Sequence, residues 1–174
     1  MRNGGIAQRL SVSRQPVGQA LALLKSQGFV KEAGRRGLVV AHLDAVFFKS
    51  IYELRSAIEP MAARLAAMRM TRESEQEGKL IIREGYRALR SGELSALVQA
   101  DARHYWNHLR RAMGEVLQSK DEGKLVWRQH EEIFNALAAR DGERAGRMVQ
   151  AHLESAVARV LAVVESHARM HGPA

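Results

Sequence analysis

Residues Ser11–Val30 read SVSRQPVGQALALLKSQGFV, and their order decides how the first part of the chain folds. Val17, Ala20, Leu21 and Leu24 recur at i, i+3, i+4 and i+7, so the spacing predicts a helix over Arg14–Ser26 with one buried face. Ser13 stands at the N-cap, and Pro16 falls in the first turn, where a missing N–H costs little. Gly28 supplies the stop. Arg14 and Gln15 are left to project outward from the positive end of the helix dipole.

Upstream, IAQRL places Ile6, Ala7 and Leu10 at helical spacing, and Ser11 with Val12 makes a tight turn. Two short helices joined this way form a helix-turn-helix, whose second helix offers its first residues to base edges. Downstream, FVKEAGRRGLVVA predicts two strands, Phe29–Ala33 and Leu38–Ala41, around the turn GRRG. That is a wing with Arg35 and Arg36 at its tip, and Gly34 and Gly37 allow close approach. Arginines on a thin hairpin suit phosphates or a minor groove.

Charge is distributed as this reading requires. The 174-residue chain carries a formal +8. Met1–Leu43 holds seven Lys or Arg against Glu32 alone, whereas Asp44–Ala174 holds twenty against eighteen acids. A small basic module precedes a larger, nearly balanced one, and the asymmetry points to a polyanionic partner. There is no cysteine, which excludes disulfides and thiolate metal sites. No apolar run approaches a membrane span and no secretory leader is present, so the chain reads as soluble and cytoplasmic. HExxH, Glu-x-x-His and nucleophile-elbow patterns are missing, and an enzyme is not expected.

From Asp44 the pattern is helix after helix. Asp44 caps a long helix with Phe48, Ile51, Leu54, Ile58, Met61 and Leu65 on its buried face, and Pro60 predicts a kink or break near Glu59. Further helices are expected over Thr71–Arg90, Glu93–Leu117, Glu122–Ala139 and Gly142–His167, followed by a disordered tail at His171–Ala174. The fold class is therefore mainly α, a partial winged helix-turn-helix (1–43) followed by an antiparallel helical bundle (44–170). His130 falls on the stripe Val126, His130, Ile133, Leu137, and His152 on Ala145, Val149, His152, Ala156. Each lies eleven residues from Asp141 in the intervening turn. Equal spacing in an antiparallel hairpin puts both imidazoles at one height inside the bundle. Such a pair serves either as packed core or as a site for a metal or a carboxylate, and the pattern leaves both open. Arg55 offers a bidentate fork for an effector carboxylate, or else pairs with Glu59 at i+4.

The stretch Ile6–Ala41 resembles the winged helix-turn-helix of the GntR family of bacterial transcription regulators, whose pattern is Leu-Ala-x-x-Leu, Val-Ser-Arg-x-Pro-Val-Arg-x-Ala-Leu and a Gly-Arg-Gly wing. The resemblance implies that Ser13, Arg14 and Gln15 touch phosphates and bases of operator DNA, while Arg35, Arg36 and Gly37 enter the minor groove. Gly18 stands where the family places a second arginine. The family's winged helix also opens with a helix ahead of Ile6, so a truncated head is expected. Together these motivate an alternative reading, an effector-binding and dimerising module whose DNA head does not work. Tyr52–Ala67 (YELRSAIEPMAARLAA) and Gln129–Ala156 resemble the all-helical FCD effector domain of the FadR branch. That resemblance implies a ligand-responsive homodimer sensing a small carboxylate, sugar acid or acyl thioester. Many members hold a divalent metal with an Asp-x-x-x-His pair and two later histidines. Here Asp101 takes the aspartate place with Tyr105 in the histidine place, or Ala102 and Trp106 take them. A four-ligand site is therefore broken. Asp101, His130 and His152 remain as a weak set for an ion of zinc or nickel type, with a metal-free pocket preferred. The effector-binding set is Arg55, Asp101, His130 and His152.

Overall fold

The computed structural model describes residues 3–34, 37–91 and 120–171, and the chain divides into two compact units, Met1–Leu43 and Asp44–Ala174.

The first unit holds α1 (Asn3–Arg9), α2 (Arg14–Ser26) and an antiparallel pair, β1 (Val30–Glu32) and β2 (Leu38–Val40), in the register Val30–Val40, Lys31–Val39, Glu32–Leu38. Ser11, at φ +54°, turns the chain between the helices, and the Val12 N–H donates to the Ala7 carbonyl at 3.0 Å. Gly28, at φ +78°, ends α2: its N–H donates to the Lys25 carbonyl and that of Phe29 to Leu24. These are the two bonds of a Schellman stop, and they need the left-handed backbone that glycine adopts without strain.

Ala7, Val17 and Leu21 form the small core, with Ile6 and Leu38 against it. Ala20 and Leu24, expected on the buried face, are exposed. Among the described residues, α1 and the strand pair pack against α2 along its central row. Ser13 occupies the N-cap with extended backbone, but its side chain makes no capping bond. The third helical position, whose N–H such a cap serves, is Pro16 and has none.

The second unit packs α3 (Ala45–Met68), α4 (Arg72–Ser91), α5 (Lys120–Ala138) and α6 (Gly142–His171). Principal contacts run α3 to α6, α5 to α6 and α4 to α5. Asp44 Oδ1 accepts from the N–H of Val46 at 2.9 Å and of Phe47 at 3.3 Å. Asp44→Ala is expected to cost about 1 kcal/mol of this unit's stability, measured as a lower urea midpoint. Thr71 and Ser74 exchange backbone-to-hydroxyl bonds at the start of α4, and Asp141 accepts from the Arg144 N–H to begin α6.

Two expectations for α3 are corrected. Of the kink or break expected near Glu59, the break does not occur, since the helix runs unbroken through Pro60. Its buried residues are Phe48, Ile51, Tyr52, Pro60, Ala63 and Ala67, while Leu54, Ile58 and Met61 are exposed. The cause is close approach to α6. A β-carbon at Gly146 would lie 3.1 Å from the Pro60 carbonyl oxygen, and one at Gly142 3.1 Å from that of Arg64. Helices this near exclude bulky side chains, so around Pro60–Ala67 small residues face inward, while the larger Phe48, Ile51 and Tyr52 are buried only in the first half of α3.

The α4–α5 seam uses a complementary device. A β-carbon at Gly85 would fall 1.8 Å from the Trp127 ring, and one at Gly78 2.2 Å from Phe134. Two bare positions seven residues apart on α4 thus receive two aromatics seven apart on the antiparallel α5. The expected helix Glu93–Leu117 with Asp101, the wing-tip residues Arg35 and Arg36, and residues 172–174 lie outside the described residues.

Candidate nucleic-acid interface and effector site

In the first unit the buried pair Val17 and Leu21 fixes α2, and its opening turn is left at the surface. Ser13, Arg14, Gln15 and Pro16 are all exposed. The Arg14 guanidinium lies over Gly4, where a β-carbon would be 3.8 Å from its Nε. Gly34 and Gly37 both adopt positive φ, +52° and +82°, and the Ala33 N–H closes the hairpin on the Gly37 carbonyl at 2.8 Å. The chain can therefore double back within a few residues, as a thin wing needs.

In the second unit α5 and α6 bring His130 and His152 together, ring centroids 4.8 Å apart. Trp127, held in the Gly85 notch, meets His130 edge-on at 4.8 Å. Gln129 Oε1 lies 3.0 Å from His152 Nδ1. With the amide oxygen as acceptor, His152 carries its proton on Nδ1 and leaves Nε2 as a lone pair. Burial chiefly, then the charges of Arg55 and Arg159, lowers His130 to about 4. Burial, His130, Arg55 and Arg159, in that order, lower His152 to about 3. Both rings are neutral at pH 7.

Arg55 reaches this site from α3. Glu59 holds it at two points, Nε to Oε1 at 2.6 Å and Nη2 to Oε2 at 3.3 Å, and the guanidinium stands 4.9 Å over the Tyr52 ring. Burial first of all raises the Tyr52 phenol. Arg159 on α6 is a further cation here that sequence reasoning missed. Its side chain is 13% exposed, it donates to Ser155 Oγ, and its Nε lies 3.6 Å from Glu122 Oε2. The signal was present: Arg159 extends the apolar stripe through His152 and Ala156 by one more turn, where an arginine has no reason to be unless it is used.

The described residues suit a divalent cation poorly. They supply two imidazoles, with Nε2 of His152 open because Gln129 engages only Nδ1, but two guanidiniums lie close enough to repel positive charge. No group of three or more His, Cys, Asp or Glu gathers among the described residues. Asp101 lies outside them.

The helical unit that carries this polar cluster matches the model of the FCD domain over residues 50–105 and 102–155. The chain belongs to the FCD family of GntR-type transcriptional regulators. The Nta operon transcriptional regulator of Aminobacter aminovorans is 26% identical over 91% of this chain and 83% of its own length. The repressor RspR of Escherichia coli is 24% identical over 86% of this chain and 74% of its own. Among solved structures, a GntR protein from Rhodococcus sp. RHA1 superimposes with a TM-score of 0.66 at 22% identity, covering 93% of this chain and 86% of its own. Escherichia coli McbR/YncC gives 0.65 at 16% identity, over 96% and 87%. These two share the fold. Like its relatives, this FCD protein is a regulator of transcription and not an enzyme. No helix among the described residues is long and apolar enough to cross a membrane.

Proposed function

We propose that this GntR-type chain is a cytoplasmic, homodimeric regulator that grips operator DNA through the opening turn of α2 and the wing. A small carboxylate bound among α3, α5 and α6 changes that grip. One observation carries the reading: a polar tip, Ser13–Gln15, stands exposed at the start of a helix whose other flank is anchored by Val17 and Leu21. Arg14 and Gln15 there offer charged and amide donors to phosphates and base edges. Arg35, Arg36 and Gly37 are assigned to the minor groove beside them. The effector is assigned to Arg55, His130 and His152, with Asp101 the remaining member of the expected set.

The test is a gel shift on DNA from upstream of the chain's own gene, at two salt concentrations. Affinity should fall steeply with salt as counterions released on binding are restored. Arg14→Ala should weaken binding by about 1–3 kcal/mol and relax the preference for that sequence. Equal affinity for Arg14→Ala and the parent chain would remove α2 from the interface.

A further inference from the structure

We propose that Arg159, rather than a metal ion, supplies the positive charge that holds the effector's anionic group in the α3–α5–α6 site. The inference rests on the effector reading above and names its anchoring residue.

Placement comes first. His152, Ala156 and Arg159 stand at i, i+4 and i+7 on α6, so they share one face. Helical side chains lean toward the N-terminus, and Arg159 does so, donating from Nη1 to Ser155 and thus extending back toward His152. Opposite, Glu122, Val126 and His130 stand at i, i+4 and i+8 on α5. The charge of Arg159 is felt by His130, His152 and Tyr52, which places it beside residues of all three helices.

The donor inventory comes next. A guanidinium has five N–H donors. Arg55 has two of its nitrogens on the Glu59 carboxylate. Arg159 is as buried but less well served. Among the described residues its Nε and Nη2 have no hydrogen-bond partner, and neither does the nearby Glu122 Oε2. At 3.6 Å that carboxylate balances charge without bonding. Buried unmet donors on a cation are expensive, and a planar oxyanion across the Nε–Nη2 edge satisfies both at once. Glu122 is 41% exposed and can swing to water when a ligand carboxylate takes its place. The two neutral imidazoles alongside supply a donor and lone pairs for the rest of a hydroxylated or second acidic group.

Arg159 therefore does here what a Lewis-acidic ion would otherwise do: it presents positive charge to a carboxylate. Its presence, with Arg55, also opposes entry of a divalent cation.

The experiment uses the full chain after treatment with EDTA. Binding of acetate, lactate, succinate and citrate is measured by calorimetry and thermal shift, with succinamide as the neutral control. At least one carboxylate should bind without added metal, and succinamide should not. Arg159→Gln should weaken that carboxylate by about ten- to hundredfold, with partial recovery in Arg159→Lys. DNA affinity without carboxylate should be unchanged in both variants, and an unchanged urea midpoint certifies the fold of the helical unit. Unaltered carboxylate affinity in Arg159→Gln overturns the proposal. So does binding that appears only after Zn²⁺ or Ni²⁺ is restored, or the failure of every carboxylate to bind. Salt-dependent DNA binding in that last case leaves the regulator standing and removes only the anchor. If Arg159→Gln does not fold, Arg159→Lys decides: affinity equal to the parent with Zn²⁺ required overturns the assignment, and weakened metal-free binding supports it.

Discussion

Gly85→Ala is expected to destabilise the helical unit, although alanine is the better helix former. In an open helix that exchange gains roughly 1 kcal/mol. Here the new methyl would stand 1.8 Å from Trp127 Cζ2 and 1.9 Å from Cε2, well inside contact distance. Trp127 has no flexible end to withdraw, since the indole is a rigid bicyclic ring and three of its atoms meet the Gly85 position. Overpacking of this kind costs about 1–3 kcal/mol, occasionally more, and outweighs the propensity gain. A lower urea midpoint and a shifted Trp127 emission would show it. Gly5→Ala is the internal contrast, because nothing lies within 4 Å of its β-carbon and it should stabilise its own helix. Stabilisation by Gly85→Ala would mean that the indole does not occupy the notch. Since Trp127 also meets His130 edge-on, the substitution should weaken effector binding as well.

Acid should loosen the same unit through its two buried histidines. His130 is lowered to about 4 and His152 to about 3, against about 6.5 in the unfolded chain. Between these values the unfolded state binds more protons than the folded one, so stability rises with pH. The contribution is complete above pH 6.5 and is lost as the pH falls toward 4. His130 alone accounts for on the order of 3 kcal/mol across that window, and His152 adds to it. Urea midpoints at pH 7, 6 and 5 measure the slope. His130→Gln with His152→Gln should flatten it, whereas an unchanged slope in the double variant would place the pH dependence elsewhere.

The first unit was legible because each of its turns demands a particular residue. Gly28 has the positive φ that its stop requires, and Arg14–Ser26 has the bounds that Pro16 and that glycine define. Equal spacing about Asp141 was likewise enough to set His130 and His152 level, and their rings lie 4.8 Å apart. Periodicity failed where helices touch most closely. On α3 it selected the bulky row of Leu54, Ile58 and Met61, but contact with Gly142 and Gly146 demands the small row of Ala63 and Ala67. Glycine within a helix reads as a weak point until its partner is known, so the notches at Gly78 and Gly85 had no sequence signature. Arg159 carried a signal that is easily misread: it continues the stripe of His152 and Ala156, and a charged residue there looks like the stripe's end until packing shows it turned inward.

In the proposed mechanism, occupancy of the interior site governs the hold of α2 on DNA. The direct measurement is fluorescence anisotropy of the full chain on a labelled duplex from upstream of its own gene, with and without the carboxylate that calorimetry identifies. Salt-sensitive binding is expected, with an affinity that changes about five- to hundredfold on carboxylate addition, the usual span of coupling between two sites. Arg159→Gln should abolish that change and leave the basal affinity intact. DNA binding that is absent or insensitive to salt, or that stays the same with the carboxylate bound, would contradict it.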